Sequence, residues 1–341
     1  MIARRSVLML LAAAVAATAG VTPLRAQEER SYIMGTATTG GTYYPVGVAL
    51  ATLIKVKLQP TENISISAIT SAGSGENIKL MREDQAQFAI LQGLYGAWAW
   101  NGTGQVKAEG PQKNLRSVTM LWQNVEHFVV RAGNVKSGDM SDMNNLKGSK
   151  FSIGQRNSGT EGSGRTILEG IGINPEAFDL AYLGYGPSAE ALQNGTIEGA
   201  NIPAGVPVSA IAQAAAALGS GMRVLDFTDE QVNQVNEEAG LELWTRYEIP
   251  AETYPGQSKP IMTIAQPNFL AVRADVDEEA VYKITKAIYE NLAFLQGIHN
   301  ATKVMAIEKA IAGLPFPLHP GAAKYYQEQG VNIPEKLMPP K

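Results

Sequence analysis

The sequence predicts an α/β protein in which two lobes of alternating strands and helices are joined by two crossing strands around a cleft. Residues 31–92 alternate strand, helix, strand, helix and strand, which is typical of a parallel sheet with helices on its faces. The same outline begins again near residue 150. Two long apolar stretches, 115–131 and 260–273, are extended enough to cross between the lobes.

The first 26 residues have the features of a signal peptide, so we exclude them from the fold. Arg4 and Arg5 precede an apolar segment at 7–17 that is too short to span a bilayer, and Ala26 ends an acceptable cleavage site. We therefore expect a periplasmic protein cleaved near Ala26. Twin-arginine export, suggested by the arginine pair, and an uncleaved anchor remain alternatives.

The composition of the remaining 315 residues excludes several classes of function. This length suits two domains with sizeable cores. Because the leader holds three of the 28 basic residues and none of the 32 acidic ones, the mature chain has a net charge of −7. Such a chain has no electrostatic reason to coat nucleic acid or anionic lipid. With no cysteine and three scattered histidines, no metal or cofactor is expected.

The first strand-to-helix loop is the strongest local signal in the chain. A strand at 32–34 leads into a glycine- and threonine-rich loop at 35–42, and a helix is predicted over 43–55 with Pro45 in its first turn. A glycine loop at a helix start presents free backbone N–H groups at the positive end of the helix dipole, which suits a small anion. The alternative is an ordinary tight turn without a ligand.

Two further loops of the first lobe are predicted to share the same sheet edge. A strand at 64–69 precedes a small-residue loop at 70–75, and Ser74 is predicted as the N-cap of the following helix. The third strand ends at Gln92 and leads into an aromatic segment. Because the carboxyl ends of parallel strands meet at one edge, these loops should face one cleft with the first loop.

The second lobe repeats this arrangement. A strand at 150–154 leads into a loop at 155–162 and a helix, and Ser158 with Glu161 fits a capping box; a pure helix cap without a ligand is the alternative. The tail is predicted as three helices, at 278–298, 303–311 and 321–329. We expect a hinged binding protein with the boundaries 27–125 for the first lobe, 126–265 for the second, and 266–341 for the return to the first lobe and the C-terminal helices.

The chain carries no recognisable catalytic motif. Nucleophile-elbow, Walker A, zincin and dinucleotide-binding spacings all fail, so no enzyme activity is expected. Asp139 and Asp142 are interpreted as solvated or capping residues, and His127 and His319 as structural or packing residues. The tryptophans of the aromatic segment are predicted to pack in the core.

With these residues in view, the chain resembles the TAXI family, the solute receptors of TRAP (tripartite ATP-independent periplasmic) transporters. The resemblance extends over nearly the whole mature chain and depends on the order and spacing of several motifs. These are Gly-Gly-Thr-Tyr-Tyr-Pro-Val-Gly at 40–47, Ser-Ala-Gly-Ser-Gly-Glu-Asn at 71–77, Leu-Lys-Gly at 146–148, Gly154 with Ser-Gly-Thr-Glu at 158–161, Gly-Val-Pro at 205–207, Gly-Leu-Pro-Phe-Pro-Leu-His-Pro-Gly at 313–321, and the tyrosine pair at 325–326.

The resemblance implies a type II periplasmic binding-protein fold and a receptor that closes on a small anionic solute. The implied ligands are glutamate and 2-oxoglutarate-like dicarboxylates, delivered to the membrane permease subunits of a transporter driven by an ion gradient. We expect the receptor itself to be monomeric. By motif position, the implied ligand-binding residues are Thr38, Thr39, Gly40, Gly41, Thr42, Tyr43, Tyr44, Ser71, Gly73, Ser74, Gln92, Ser158, Gly159, Thr160 and Glu161.

Two departures from the family pattern bear on the ligand. Leu94 stands where the family often has an aspartate, and Asn124 ends a crossing segment where it often has a glutamate. If those acids face the ligand, this receptor lacks partners for an ammonium group and favours a carboxylate without an amine. Three alternatives stay open: a receptor of an ABC-type transporter, a ligand sensor coupled to a kinase, and a secreted enzyme on the same fold.

Overall fold

The structure is a computed structural model that describes residues 29–340, so the predicted signal peptide lies outside the described residues. In this part of the chain eleven strands form two sheets. In chain order they are β1 (Arg30–Gly35), β2 (Ile64–Ile69), β3 (Phe88–Gln92), β4 (Leu115–Val125), β5 (Phe128–Arg131), β6 (Lys150–Ser152), β7 (Asp179–Ala181), β8 (Gly199–Asn201), β9 (Met222–Val224), β10 (Thr245–Ile249) and β11 (Ile261–Arg273).

Each sheet combines a parallel core with antiparallel strands. The first has the order β10-β11-β3-β1-β2, with β4 also paired to β11, and β1 is parallel to both β2 and β3. The second has the order β7-β6-β8-β5-β9, with β6 parallel to β7 and β8. The predicted α/β class with two lobes is therefore confirmed. The lobe boundaries stay a prediction, and β10, from the range assigned to the second lobe, pairs in the first sheet.

Ten α-helices lie among the described residues, and the loops after the parallel strands precede several of them. They are α1 (Tyr43–Glu62), α2 (Ser74–Arg82), α3 (Gly93–Asn101), α4 (Gly159–Gly170), α5 (Tyr185–Gln193), α6 (Ser209–Leu218), α7 (Asp229–Ala239), α8 (Glu278–Glu290), α9 (Leu292–Ile298) and α10 (Pro320–Glu328). Within residues 29–340, no helix has both the length and the apolar character needed to cross a membrane.

The predicted tail helices are partly wrong. The helix expected at 278–298 is interrupted at Asn291, which separates α8 from α9. The helix expected at 303–311 is replaced by short 3-10 turns, with Met305 and Ala306 in extended conformations between them. The Thr302 hydroxyl contacts the carbonyl oxygens of Leu295 and His299. Such local side-chain bonds compete with regular helix, which explains why apolar spacing alone misled the prediction.

Two crossing segments connect the lobes. β4 ends in the first sheet at Val125 and β5 begins in the second at Phe128, so the first crossing occurs at residues 126–127. On the return, β11 pairs with both β10 and β4. The predicted crossing at 115–131 is thus observed as a change of sheet. The predicted return at 260–273 pairs only within the first sheet, although Ile261 and Ala265 at its start pack with residues of the second lobe.

Aromatic side chains fill the cores, as predicted. In the first lobe Trp98 packs edge-on to Tyr95, with ring centroids 5.0 Å apart, and Trp100 stacks on Phe316 at 5.4 Å. In the second lobe Phe128 stacks on Phe151 with centroids 6.1 Å apart. These contacts make each lobe a packed body, so the loops at their facing edges are held on rigid supports.

The two aspartates and the last histidine have the local structural roles expected of them. Asp139 accepts a hydrogen bond from the amide of Ser141 at 2.7 Å. The Asp142 carboxylate is buried and accepts bonds from the amides of Lys136, Ser137 and Gly138. His319 is buried, and its Nδ1 accepts from the amide of Gly321 at the start of α10.

Candidate functional site

A cavity lies between the lobes where the loops after their parallel strands meet. It encloses about 480 Å³, including space open to solvent at its mouth. The loop after β1 contributes the first jaw (residues 38–43), and the loop after β6 contributes the second jaw (residues 155–160). The complete lining is Ala37, Thr38, Gly41, Thr42, Tyr43, Ala72, Gly73, Ser74, Gln92, Asn124, Gln155, Ser158, Gly159, Thr160, Leu183, Gly184, Tyr185, Pro203 and Ala204.

The first jaw contacts the second lobe directly. The Thr42 hydroxyl accepts a hydrogen bond from the amide of Gly205 at 3.0 Å and lies 3.2 Å from the carbonyl oxygen of the same residue. Tyr43 begins α1, and its hydroxyl donates to Asn268 Oδ1 at 2.6 Å. The predicted helix start is correct, although α1 continues past residue 55 to Glu62. The hydroxyls of Thr42 and Tyr43 are thus already paired with protein atoms.

The second loop of the first lobe positions Gln92. Gly73 adopts a φ of +123°, a conformation that favours glycine, and precedes α2. Ser74 was predicted to cap this helix, but that prediction is wrong. Ser74 is the first residue of the helix, and its hydroxyl accepts from the amide of Gln92 at 3.1 Å. The Gln92 Nε2 in turn donates to the Gly159 carbonyl oxygen, 2.8 Å away in the second jaw.

The second jaw is the N-terminus of α4. The Ser158 hydroxyl accepts from the amide of Glu161 at 3.0 Å, as predicted for an N-cap. The reciprocal half of the capping box is shifted by one residue, because Glu161 Oε2 accepts from the amide of Asn157 at 2.8 Å. The amide of Ser158 instead donates to Gln155. The amides of Gly159 and Thr160 have no hydrogen-bond partner within residues 29–340.

Several lining residues were not among the predicted site residues. Tyr185 begins α5 after β7, and its hydroxyl lies 2.8 Å from Thr160 Oγ1 and donates to the Pro203 carbonyl oxygen. Burial raises the pKa of both Tyr43 and Tyr185 well above the usual tyrosine value, so both hydroxyls stay protonated. The rule that loops after parallel strands share one edge could have identified Tyr185, since β7 is parallel to β6.

The predicted site residues fall into three groups. Within the lining are Thr38, Gly41, Thr42, Tyr43, Gly73, Ser74, Gln92, Ser158, Gly159 and Thr160. Thr39, Gly40 and Ser71 lie at the wider mouth, together with Thr70, Ser209 and Gln213. Tyr44 and Glu161 line neither space, and the Glu161 carboxylate contacts Asn157 and Arg165. Of the two family departures, Asn124 lines the cavity and the fully buried Leu94 does not.

The electrostatic character of the cavity comes from backbone and not from charged side chains. Within residues 29–340, the helices α1, α2, α4 and α5 all begin at the lining, and no charged side chain belongs to it. A helix N-terminus carries roughly half a positive charge. The nearest arginine of the second jaw, Arg156, lies with its guanidinium 3.7 Å above the Tyr182 ring. The cavity is therefore mildly positive while every side chain in its lining is neutral.

The two lobes meet in a closed arrangement. Besides the contacts of Thr42 and Gln92, the amide of Glu76 donates to the Asn157 carbonyl oxygen at 3.0 Å, and Ser209 Oγ donates to the Gly40 carbonyl oxygen at 3.1 Å. At Gly75 a Cβ would lie 2.4 Å from the Asn157 carbonyl oxygen. A side chain at this position would collide with the backbone of the other lobe, so closure requires glycine there.

His127 has the structural role preferred by the sequence interpretation. The ring is fully buried, its Nδ1 lies 2.9 Å from the Val125 carbonyl oxygen, and its Nε2 lies 2.8 Å from the Tyr254 hydroxyl. The carbonyl can only accept, so Nδ1 carries the proton and Tyr254 donates to Nε2. Burial lowers the pKa of His127 to about 4, which keeps the ring neutral near pH 7. It does not belong to the cavity lining.

The sequence of this chain also matches a described family. The model of the NMT1-like family matches residues 34–330. The chain belongs to the NMT1-like family. The match includes both jaws and both crossings. Among the described residues of this family member, no group of three or more histidine, aspartate or glutamate side chains could hold a metal ion.

Solved structures show the same fold at low sequence identity. MatC from Rhodopseudomonas palustris, solved with bound malate, is 16% identical, with 88% of this chain and 96% of that chain covered and a TM-score of 0.52. The periplasmic binding protein BugD is 13% identical, with 89% and 95% covered and a TM-score of 0.51. The alkanesulfonate-binding protein SsuA from Xanthomonas axonopodis pv. citri, bound to MOPS, is 13% identical, with 89% and 91% covered and a TM-score of 0.45. The likeness to MatC and BugD agrees with the two sheets described above, so this NMT1-like protein has the predicted two-lobed fold of periplasmic binding proteins.

Proposed function

We propose that this protein is an extracytoplasmic solute receptor that binds a small carboxylate in the cleft between its lobes. The observation that carries the proposal is the convergence of four helix N-termini, within the described residues, on a cavity with a neutral lining. Helix N-termini favour anions, and closure of the lobes removes the water that would weaken those interactions. The lining offers hydroxyls and amides and, among residues 29–340, no histidine, acid or lysine to act as a general base. We therefore propose binding without turnover.

The proposed ligand contacts start at the second jaw. The unpaired amides of Gly159 and Thr160 supply two donors at the positive end of α4, which suits one carboxylate group. A second carboxylate can face the starts of α1 and α2, near Thr42 and Ser74 on the opposite wall. This geometry supports a short dicarboxylate spanning the jaws. The malate bound in MatC is a ligand of the same chemical class in a protein of the same fold.

We further propose that the ligand lacks an amine. An ammonium group needs a carboxylate or several free acceptors, and no acidic side chain among residues 29–340 belongs to the lining. Asn124 occupies the lining at the point where the TAXI family often has an acid. The receptor should therefore bind 2-oxoglutarate more tightly than glutamate.

We propose that the partner is a TRAP-type permease driven by an ion gradient, and the motif resemblance supports this proposal. We also propose that the receptor is a monomer that acts in the periplasm after cleavage of its leader. An ABC-type permease or a sensor kinase would use the same closed cleft. Uptake into vesicles containing the cognate permease separates these partners, because a TRAP-type system responds to collapse of the ion gradient and not to removal of ATP.

A ligand screen tests the receptor proposal. Thermal unfolding is followed with 2-oxoglutarate, malate and glutamate, and with dimethyl 2-oxoglutarate as the control that keeps the carbon skeleton without its charges. A ligand at about 100 times its Kd stabilises the folded state by about 2.7 kcal/mol, so a dicarboxylate should raise the melting temperature. Calorimetric titration then ranks the hits. Tighter binding of glutamate than of 2-oxoglutarate would refute the amine-free assignment, and a response to the diester alone would refute carboxylate recognition.

A further inference from the structure

A buried carboxyl group lies behind the cleft, at the crossing between the lobes. Glu126 follows β4 and is fully buried. Its Oε1 lies 3.4 Å from the indole nitrogen of Trp244, which donates to it. The remaining neighbours that face the carboxyl group are Ser163 of α4, Asn201 of β8 and Gln266 of β11. Glu126 is thus surrounded by neutral polar groups from both lobes.

Several polar atoms around the Glu126 carboxyl group have no hydrogen-bond partner within residues 29–340, and this suits either protonation state of that group. Glu126 Oε2 and both side-chain atoms of Asn201 are buried without a partner among the described residues. The Gln266 Oε1 already accepts from the amide of Leu94 at 2.9 Å, which leaves its Nε2 as an unpaired donor. Asn201 can turn its oxygen to a protonated carboxyl or its NH₂ to an ionised one. The cluster can therefore accommodate the carboxyl group with or without a proton.

The carboxyl group is close enough to the cleft for its charge to act there. The charge of Glu126 raises the pKa of both Tyr43 and Tyr185, in addition to the larger effect of their burial, and both tyrosines line the cavity. Asn124, two residues before Glu126, belongs to the same lining. With no charged side chain of the described chain in the lining to screen it, an ionised Glu126 would repel an anion held at the start of α4.

Glu126 is the group of this region that titrates near neutral pH. Burial raises the pKa of Glu126 to about 7, although the nearby polar side chains of Asn201, Ser163, Trp244 and Gln266 lower it in part. The two cleft tyrosines stay protonated and His127 stays neutral, for the reasons given above. The charged residues of α4 nearest in sequence to Ser163 pair elsewhere, Glu161 with the amide of Asn157 and Arg165 with Glu176 at 2.8 Å.

We propose that the cleft takes up a proton together with its anion, and that Glu126 is the group that holds this proton. The inference rests on the proposed function, since the linkage needs an anion in the cleft. When Glu126 is protonated, the positive helix N-termini act on the anion unopposed. When it is ionised, its charge counteracts them, so anion affinity falls as the pH rises above neutrality. Glu126 then acts on the ligand through its charge and does not contact the ligand directly.

The first measurement needs no ligand. Carbon-13 NMR of the glutamate side-chain carboxyl carbons is recorded between pH 5 and 9, and the Glu126 signal is assigned as the one missing in Glu126→Gln. The proposal expects a titration midpoint between about 6 and 8, which bound 2-oxoglutarate moves upward. A midpoint below about 5.5 overturns the proposal. If that variant fails to fold, Glu126→Asp supplies the assignment, because it removes one signal from the glutamate carboxyl carbons while keeping a carboxyl group in the cluster.

The second measurement is the affinity for 2-oxoglutarate between pH 6 and 8.5, where the probe stays a dianion. Wild-type affinity should fall by at most about ten-fold for each pH unit above neutrality, and titration in buffers of different ionisation enthalpy should reveal proton uptake on binding. Glu126→Gln should bind with nearly constant affinity. Glu169→Gln is the matched control, because Glu169 is an α4 glutamate whose pKa is also raised by burial but which lies near Glu238, away from the cleft.

The outcomes separate the two proposals. Binding of 2-oxoglutarate with equal affinity at all pH values in the wild type, without proton uptake, overturns the role of Glu126 and leaves carboxylate recognition standing. Absence of binding to any dicarboxylate refutes the proposed function, and the NMR midpoint then still decides whether Glu126 is protonated near neutrality. Loss of the pH dependence in Glu169→Gln as well as in Glu126→Gln would assign it to general electrostatics and contradict the proposal.

Discussion

The two jaws of the cleft each lead into the start of a helix but use their polar groups differently. In the first jaw the Thr42 hydroxyl is paired with Gly205 of the other lobe, and the Tyr43 hydroxyl is paired with Asn268. In the second jaw the Ser158 hydroxyl caps α4, which leaves the amides of Gly159 and Thr160 without partners among the described residues. The first jaw therefore uses its side-chain hydroxyls to hold the lobes closed, whereas the second uses its serine hydroxyl to cap a helix.

The largest effect is expected from blocking closure itself. In Gly75→Val the new side chain would collide with the Asn157 carbonyl oxygen of the other lobe. We expect about a 5- to 150-fold loss of affinity for 2-oxoglutarate and a larger radius of gyration in small-angle scattering, since overpacking a tight contact costs about 1–3 kcal/mol. The control is Gly297→Ala in α9, where an added Cβ meets nothing within 4 Å. Unchanged affinity in Gly75→Val would show that the closed contact is not needed for binding.

A charge placed in the lining should change the ligand preference. Asn124→Asp adds a carboxylate that repels a dicarboxylate and can pair with an ammonium group. We expect the ratio of 2-oxoglutarate to glutamate affinity to fall by about 30-fold in calorimetric titrations. Leu94→Asp is a poor substitute because Leu94 is fully buried outside the lining. An affinity ratio equal to that of the wild type would show that Asn124 does not influence the ligand preference.

Removing the Thr42 hydroxyl from the first jaw should have an intermediate effect on ligand affinity. Thr42→Val keeps the shape of the side chain and removes the contacts with Gly205, which are worth about 1 kcal/mol each. We expect about a ten-fold weaker affinity, mainly through faster dissociation in stopped-flow measurements. Thr39→Val, at the exposed mouth, is the matched control. If Thr42→Val binds as the wild type does, its hydroxyl contributes neither to the site nor to closure.

The smallest effect is expected at the arginine beside the second jaw. The Arg156 guanidinium lies above the Tyr182 ring and outside the lining, so Arg156→Ala should change affinity by less than about two-fold. Titration at low and high salt checks this, because a direct clamp on an anion would show a strong salt dependence. A ten-fold loss would mean that Arg156 turns toward the ligand, and the anion site would then not depend on backbone alone.

The order of strands and helices in the sequence identified most of the positions around the cleft. The loops after β1, β2, β3 and β6 were expected at shared sheet edges, and ten of the predicted site residues in or next to these loops line the cavity. The roles assigned to individual side chains within those loops were less reliable. Ser74 was predicted as a helix cap, but its hydroxyl accepts a hydrogen bond from the amide of Gln92. Glu161 was predicted as a site residue, but its carboxylate accepts a hydrogen bond from the amide of Asn157 and lies outside the lining. Their assignment as ligand contacts stays a prediction.

The sequence by itself determined the α/β class, the two lobes, the crossings and the edges where the jaws lie, because these follow from local periodicity and the direction of parallel strands. Only the tertiary structure decided which polar groups remain free. Thr42 meets Gly205 across 163 positions of sequence, and Glu126 is buried by residues from both lobes. Such pairing depends on which surfaces of the two lobes come into contact. A polar group that is already paired with a distant residue therefore leaves no local pattern in the sequence.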